Sequence, residues 1–160
     1  MHDAIAQTGA VLMGHRTFEI ACPDSYVGNF EFQVPIFVLT HHPPKVVPKQ
    51  DQRLTFTFVT DGLELAVAQA KADADKGGKS DKAVQVVGGV NVAQQLLDGR
   101  VADELHNDIM PIFLGAGVRA FESSTLSALR LEKIKLHEVG PGTSLRFRIK
   151  RLRASALLLS

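Results

Sequence analysis

Short apolar runs alternate along this chain with stretches in which apolar residues recur at helical spacing. Such alternation is typical of βαβ units, in which helices flank a mostly parallel sheet. The pattern therefore predicts the α/β class. The predicted strands are residues 10–13, 35–40, 56–60, 83–87, 104–109, 131–139 and 144–151. The predicted helices are residues 2–8, 17–21, 62–76 and 91–98.

The third helix and the C-terminal strands carry additional local signals. Residues 61–64, Asp-Gly-Leu-Glu, resemble a capping box, and Leu63, Val67 and Ala70 follow at helical spacing. Near the C-terminus, two segments of alternating polarity flank the turn residues 140–142, Gly-Pro-Gly. This period-two pattern around a turn predicts a C-terminal antiparallel hairpin.

The length of 160 residues predicts one domain, residues 1–153, followed by a short tail, residues 154–160. The formal net charge of +1 provides no global field to attract nucleic acid or an anionic membrane surface. The N-terminus lacks the regions of a signal peptide, and no apolar run approaches the roughly 20 residues that cross a bilayer. We therefore expect a cytoplasmic protein without nucleic-acid or membrane partners.

The chain has a single cysteine, Cys22. A lone cysteine excludes an internal disulfide and a cysteine-based zinc site, and it fits a reducing cytosol. Because unpaired cysteines usually behave as small hydrophobic residues, we expect Cys22 to be buried.

Three predicted strands end on residues suited to holding a phosphate. In an open α/β sheet, ligands bind outside the carboxyl ends of the strands, where loops and helix N-termini point the same way. These three ends therefore suggest a nucleotide site. The residues are Gly14, His15, Arg16 and Thr17 after the first strand, Thr40, His41 and His42 after the second, and Gly88, Gly89, Val90 and Asn91 after the fourth.

The first of these ends combines a turn with a helix start. Gly14 permits a sharp turn after the strand, and Thr17 is predicted to cap the following helix. His15 and Arg16 then lie beside a positive helix end, which favours a phosphate. The alternative interpretation is a capped helix with a surface arginine and no ligand.

The adjacent glycines Gly88 and Gly89 follow a Val-rich strand and precede a predicted helix. Two glycines at such a junction allow left-handed backbone angles or the close approach of a ligand to the main chain. A purely structural turn, which needs only one glycine, remains the alternative.

Other chemistries have weaker sequence support. Residues 115–120 imitate a dinucleotide fingerprint, but Ser123, Ser124 and Thr125 interrupt the helix that should follow it. The six histidines are scattered without metal-ligand spacing, and no Gly-x-Ser-x-Gly elbow occurs. We therefore expect neither a metal site nor a Ser-His-Asp hydrolase.

A longer pattern joins several of these pieces in a fixed order. The segments are residues 10–19 (AVLMGHRTFE), 38–40 (VLT), 87–89 (VGG), 101–105 (VADEL) and 111–121 (PIFLGAGVRAF). Their order resembles the dihydrofolate-reductase-like family, in particular stand-alone relatives of the C-terminal reductase domain of the bifunctional deaminase-reductase of riboflavin biosynthesis. The resemblance spans about residues 1–151.

The resemblance implies a homodimeric reductase that uses NADPH. NADH is also possible, because an arginine is common in the family where this chain has His15 or His41. It implies that residues 115–120 form a loop near the substrate side of the pocket. The residues matching the family's cofactor motifs are Gly14, His15, Arg16 and Thr17 near the phosphates, Thr40 and His41 near the adenosine phosphate, and Gly88, Gly89, Val90 and Asn91 under the pyrophosphate and nicotinamide.

The implied activity resembles that of 5-amino-6-(5-phosphoribosylamino)uracil reductase, with hydride transfer to a small pyrimidine-like, pterin-like or carbonyl substrate. Val87 stands where riboflavin-pathway members often have an acidic residue, so the substrate stays open. No residue is assigned as proton donor, since Asp103 and Glu104 fit either a recurrent family pair or a salt-bridged strand start. The alternative function is a non-catalytic nucleotide-binding relative, or a structural subunit with an empty cleft.

Family members normally begin with a central strand and a short loop, which in this chain would precede the first predicted helix. We expect the start to lie upstream of Met1. The other interpretations are that another segment or subunit fills the slot, or that the neighbouring strands close together. Unpaired backbone groups along two strand edges would cost about 1–3 kcal/mol each if buried.

Overall fold

The computed structural model of the chain describes residues 2–76, 82–121, 127 and 129–151, so the predicted tail lies outside the described residues. The strands are β1 (Thr8–Gly14), β2 (Ile36–Leu39), β3 (Phe56–Val59), β4 (Ala83–Val86), β5 (Glu104–Ile109), β6 (Leu129–Val139) and β7 (Gly142–Arg151). The helices are α1 (His2–Gln7), α2 (His15–Ile20), α3 (Tyr26–Asn29), α4 (Leu63–Asp75) and α5 (Val90–Asp98), with a 3₁₀ helix at Pro23–Ser25. All seven predicted strands and all four predicted helices are confirmed, whereas the 3₁₀ helix and α3 were not predicted.

The chain divides into two units, Met1–Ala93 and Gln94–Ser160. The first contains a four-stranded parallel sheet in the order β3-β2-β1-β4. Strand β1 pairs on both sides, with Val11 opposite both Ile36 and Gln85. Because a strand in the middle of a parallel sheet is covered on both faces, it reads as a continuous apolar run, and Ala10 to Met13 are fully buried.

One face of this sheet packs against an aromatic cluster. The ring centroid of Phe18 from α2 lies 6.2 Å from that of Tyr26 and 5.5 Å from that of Phe56 on β3. The Tyr26 hydroxyl donates to Met13 Sδ at 3.6 Å, which gives this buried polar group a partner. Burial raises the pKa of Tyr26.

Helix α4 packs on the sheet through small side chains. Ala66, Ala70 and Ala74 are buried, and a Cβ built on Gly9 of β1 would lie 2.9 Å from the Cα of Ala74. The predicted capping box is wrong, because the N-cap is Gly62, at φ +102°, and no side chain caps the helix. The position needs a positive φ, which glycine adopts readily.

The second unit contains an antiparallel sheet in the order β5-β7-β6. The predicted hairpin is confirmed, with Val139 opposite Gly142 at its tip. Strand β5 adds to the outer side of β7 through six residue pairs, from Glu104 opposite Arg148 to Ile109 opposite Thr143. Among the described residues, β4 and β5 are edge strands of their sheets, each paired on one side only.

Cys22 is exposed, so the expectation that it is buried is wrong. It adopts a left-handed conformation, φ +52°, as the N-cap of the 3₁₀ helix. The tight turn between α2 and this helix leads the residue away from the core. Among the described residues, no helix is both long and apolar enough to cross a membrane.

Candidate functional site

The carboxyl ends of β2, β1 and β4 meet at one edge of the parallel sheet. Gly14 pairs with Leu39, so Thr40 follows at the same level on the neighbouring strand. On the other side, the Val87 N–H donates to the Leu12 carbonyl at 3.0 Å, which brings the following glycines level with Gly14. The structure therefore gathers the three predicted strand ends along a single edge, as parallel pairing requires.

Both residues of the diglycine adopt positive φ, +72° at Gly88 and +81° at Gly89. Only glycine occupies this region without a steric penalty. The two residues turn the chain out of β4 and directly into α5. A structural turn would need only one glycine. The second glycine leaves the main chain at the end of β4 without a side chain to cover it.

The diglycine faces the junction of β1 and α2. A Cβ built on Gly88 would lie 2.8 Å from Thr17 Oγ1, and one built on Gly89 would lie 3.7 Å from the backbone nitrogen of Gly14. Three glycines and one hydroxyl therefore form a small cradle, here called the glycine cradle: Gly14, Thr17, Gly88 and Gly89. A side chain at Gly88 would collide with Thr17, whereas one at Gly89 would enter the cradle with no atom closer than 3.6 Å, so Gly89 is where a ligand can approach the main chain closely.

Thr17 does not cap α2, so that prediction is wrong. The N-cap is Gly14, at φ −82° and ψ 158°, and no side chain caps the helix. Thr17 is the third residue of the helix, and its side chain lies against Gly88 instead. Since α2 begins two residues earlier than predicted, the hydroxyl becomes part of the wall of the cradle.

Helix α5 starts at the edge of the cradle. Its first turn closes with the Ala93 N–H donating to the Gly89 carbonyl at 3.1 Å. The helix dipole adds positive potential at this end, beside the backbone of Val90 and Asn91. A helix N-terminus of this kind favours an anion.

His15 and Arg16 open α2 beside the cradle. His15 Nε2 lies 3.2 Å from Glu19 Oε1, one helical turn away. Its Nδ1 is buried and has no hydrogen-bond partner among the described residues. Arg16 is exposed, so its guanidinium is available to a phosphate in solvent.

Thr40 and His41 lie at the same edge but differ in exposure. Thr40 is buried, its N–H donates to the Val59 carbonyl at 3.1 Å, and its hydroxyl oxygen accepts the His42 N–H at 3.1 Å. The hydroxyl thus stabilises the turn after β2. His41 is exposed, so of these two side chains it is the one accessible to a phosphate in solvent.

Sequence reasoning missed Val92. Its Cγ2 lies 3.1 Å from a Cβ built on Gly14 and 3.6 Å from one built on Gly89, so it forms the floor of the glycine cradle. It is buried, at 5% exposure. The apolar face of the predicted helix was the available signal, but nothing local indicated which glycines this valine contacts.

Asp103 and Glu104 were left between a catalytic and a structural interpretation. Glu104 Oε2 accepts from Arg146 Nε at 2.6 Å and lies 3.6 Å from His106 Nε2, which favours the salt-bridged strand start. No proton donor is identified by this geometry. The described residues contain no group of three or more His, Cys, Asp or Glu that could hold a metal ion.

Comparisons with known proteins agree with this architecture. The chain is similar to a putative riboflavin biosynthesis protein from Shewanella sp. PV-4, with 23% identity and a TM-score of 0.68, over 94% of this chain and 79% of that one. Form 2 of Acinetobacter baumannii RibD matches at 16% identity and a TM-score of 0.59, over 92% of this chain and 49% of that one. The chain thus spans about half the length of the Acinetobacter protein.

A pyrimidine reductase-like protein from Corynebacterium diphtheriae matches at 15% identity and a TM-score of 0.51, over 90% of this chain and 77% of that one. No curated protein matches the sequence. The model of the RibD C-terminal domain matches residues 1–145. The chain therefore belongs to the RibD C-terminal domain family, a family of reductase domains with the dihydrofolate-reductase-like fold.

Proposed function

We propose that the chain is an NADPH-dependent reductase that transfers a hydride to a small pyrimidine-like, pterin-like or carbonyl substrate. The observation that carries the proposal is the glycine cradle, in which two consecutive positive-φ glycines face Gly14 and Thr17 at an edge where three parallel strands end. A Cβ at Gly89 would meet no atom closer than 3.6 Å, so the residues present fit a group that lies against the main chain there, whereas the space beside Gly88 is taken by Thr17.

The residues around the edge divide the binding work. The backbone of Gly88, Gly89 and the first turn of α5 would hold the pyrophosphate and the nicotinamide, because the helix dipole at this end favours anions. Thr17 narrows the cradle from the other side. Gly14 admits a phosphate beside the start of α2, where Arg16 supplies a charge-assisted hydrogen bond.

The nicotinamide ring supplies the hydride when the cofactor is bound. The protein contributes position, since holding donor and acceptor carbons in contact removes much of the entropic part of the barrier. Behind the cradle, Leu12 and Met13 of β1 are fully buried, so the site is backed by the packed core of the sheet.

The preference for NADPH depends on a second anion contact near the adenosine. Thr40 and His41 are the residues we assign to it. Imidazole is a weaker phosphate partner than the guanidinium of arginine, so NADH is tested beside NADPH.

We propose the substrate only as a chemical class, because the class is what the family supports. The similar solved structures include a riboflavin biosynthesis protein and a pyrimidine reductase-like protein. A substrate resembling 5-amino-6-(5-phosphoribosylamino)uracil is the first to test, although Val87 replaces the acidic residue often found before the diglycine.

The test pairs two glycine substitutions that carry equal backbone strain. Gly89→Ala places a methyl group in the cradle at φ +81°, whereas Gly28→Ala places one at φ +80° with nothing within 4 Å. NADPH oxidation is followed by nicotinamide absorbance with pyrimidine, pterin and carbonyl substrates. We expect turnover by the wild type and by Gly28→Ala, and loss of NADPH affinity by at least tenfold in Gly89→Ala.

Two results would contradict the proposal in different ways. Saturable NADPH binding without oxidation by any substrate class would favour the non-catalytic nucleotide-binding relative. Equal NADPH affinity in the Gly89→Ala and Gly28→Ala variants would remove the glycine cradle from the site.

A further inference from the structure

Gly14 occupies a position whose backbone conformation does not require glycine. Its φ of −82° and ψ of 158° are ordinary extended values that any residue adopts. Gly88 and Gly89 differ from it, because both have a positive φ. The conformation of the chain at the end of β1 therefore does not explain why this residue lacks a side chain.

The space that a side chain would need at Gly14 is taken by Val92. A Cβ built on Gly14 would lie 3.1 Å from Val92 Cγ2. Among the described residues other than its chain neighbours, no further atom lies within 4 Å of that Cβ. Carbon atoms in favourable contact are about 3.5–4.0 Å apart. Val92 and a side chain at position 14 therefore compete for the same space.

The same methyl group of Val92 lies beside the diglycine. Its Cγ2 is the nearest atom to a Cβ built on Gly89, at 3.6 Å, and the backbone nitrogen of Gly14 follows at 3.7 Å. Val92 is 5% exposed, and its β-branched side chain has few rotamers. One fixed methyl group thus limits how closely Gly14 and Gly89 approach each other.

Because Val92 is buried, its effect on a ligand passes through the two glycines. We propose that Val92 is the positioning residue of the glycine cradle, whose Cγ2 holds the main chain of Gly14 and Gly89 at the separation that admits NADPH. A binding site must keep its geometry to within about 0.5 Å, and residues with packed, fixed rotamers supply that precision. The ligand in this inference rests on the proposed function, whereas the contact of Val92 with Gly14 is a property of the free protein.

The contact is tested in the free full chain by a double-mutant cycle. Gly14→Ala adds one methyl group at permitted backbone angles, so its cost should come from Val92. We expect Gly14→Ala to lower the urea midpoint, followed by far-UV circular dichroism, and to lower it about half as much or less in the Val92→Ala background. Equal shifts in the two backgrounds would overturn the proposal, whether or not the chain binds a nucleotide.

The effect on binding is measured by NADPH titration followed by nicotinamide fluorescence, under conditions in which circular dichroism shows each variant to be folded. Val92→Ala removes the spacing methyl group and should raise the Kd for NADPH at least fivefold. Val92→Thr keeps the branched shape but buries a hydroxyl group, so it should be less stable than the wild type and yet bind within twofold of it.

Val11→Ala is the matched control for the loss of a buried valine. Val11 is fully buried in the core of the same unit, and none of its atoms is among those nearest to a Cβ built on Gly14, Gly88 or Gly89. Val11→Ala should therefore lose stability as Val92→Ala does, while its Kd for NADPH stays within twofold of the wild-type value.

The outcomes separate this inference from the proposed function. A wild type that does not bind NADPH contradicts the proposed function and the positioning role with it. A wild type that binds, with Val92→Ala within twofold of it, overturns the positioning role alone. A folded Val92→Thr variant that binds at least fivefold more weakly, or a loss of affinity that follows the loss of stability in all three variants, also overturns the positioning role.

Discussion

Replacing Gly88 with alanine should destabilise the first unit by more than backbone strain alone. The substitution has two separable costs. One arises because an L-residue must adopt φ +72°, and the other because the new Cβ would lie 2.6 Å from Thr17 Cγ2 and 2.8 Å from its Oγ1.

The two costs can be estimated from the geometry. A left-handed conformation costs an L-residue about 1–2 kcal/mol. The β-branched Thr17 has few alternative rotamers, and forcing it from its rotamer adds about 0.5–1.5 kcal/mol. We therefore expect Gly88→Ala to lower the free energy of unfolding by about 1.5–3.5 kcal/mol. Gly28→Ala, at φ +80° with open space around it, should lower it by about 1–2 kcal/mol.

Urea unfolding, followed by far-UV circular dichroism, measures both values. Thr17→Ala removes the two closest of the atoms that the new Cβ meets and leaves the Cβ of residue 17 at 3.3 Å, so in that background the cost of Gly88→Ala should fall close to that of Gly28→Ala. The difference is the coupling energy of a double-mutant cycle. If Gly88→Ala costs no more than Gly28→Ala in the wild-type background, the described contact between Thr17 and the diglycine is wrong.

Three further predictions concern other parts of the first unit. Arg16→Ala should weaken NADPH binding by about 1.5–3 kcal/mol, and the loss should shrink at high salt; an unchanged affinity in a fluorescence titration would place the phosphates elsewhere. The Asp51 carboxylate accepts the Leu54 and Arg53 N–H groups, which hold its pKa below its usual range, so it stabilises the fold above about pH 4. That contribution is lost as the pH falls through the lowered pKa. When urea unfolding is measured over a pH series, the midpoint of Asp51→Asn should therefore fall less at acidic pH than that of the wild type. Gly9→Ala should cost about 1–3 kcal/mol in urea unfolding, because its Cβ would lie 2.8 Å from Lys82 Cβ and 2.9 Å from the backbone Cα of Ala74.

The strands were predictable because their signal is local. Buried parallel strands read as short apolar runs bounded by turn residues, and β1 and β2 follow that rule along their length. Helix α4 was also predicted, although its buried face consists of Ala66, Ala70 and Ala74 rather than the larger residues in the same helix. Its start was mistaken because Gly62, rather than Asp61, takes the N-cap position.

The features that sequence reasoning missed depend on contacts between distant segments. Thr17 looks like a helix cap in its own neighbourhood, and only the diglycine after β4 shows that it forms a wall of the cradle. Val92 likewise gains its role from Gly14. Cys22 is exposed because the chain makes a left-handed turn there, and the residue type gives no sign of that turn.

The division into two sheets could not be predicted either. The pattern of β5 predicts a strand but not its partner, and the structure pairs it antiparallel with β7. Residues 115–120 were predicted to form a loop, and residues 111–120 contain no helix or strand. Leu114 and Val118 in this stretch are exposed, which could not be foreseen because an apolar sequence usually indicates burial.

Titration of the purified chain with NADPH and with NADH, followed by nicotinamide fluorescence, tests the central claim most directly. We expect saturable nucleotide binding that is lost in Gly89→Ala and retained in Gly28→Ala. A chain that is folded by circular dichroism but binds neither nucleotide would contradict the account, because the glycine cradle would then be only a structural turn.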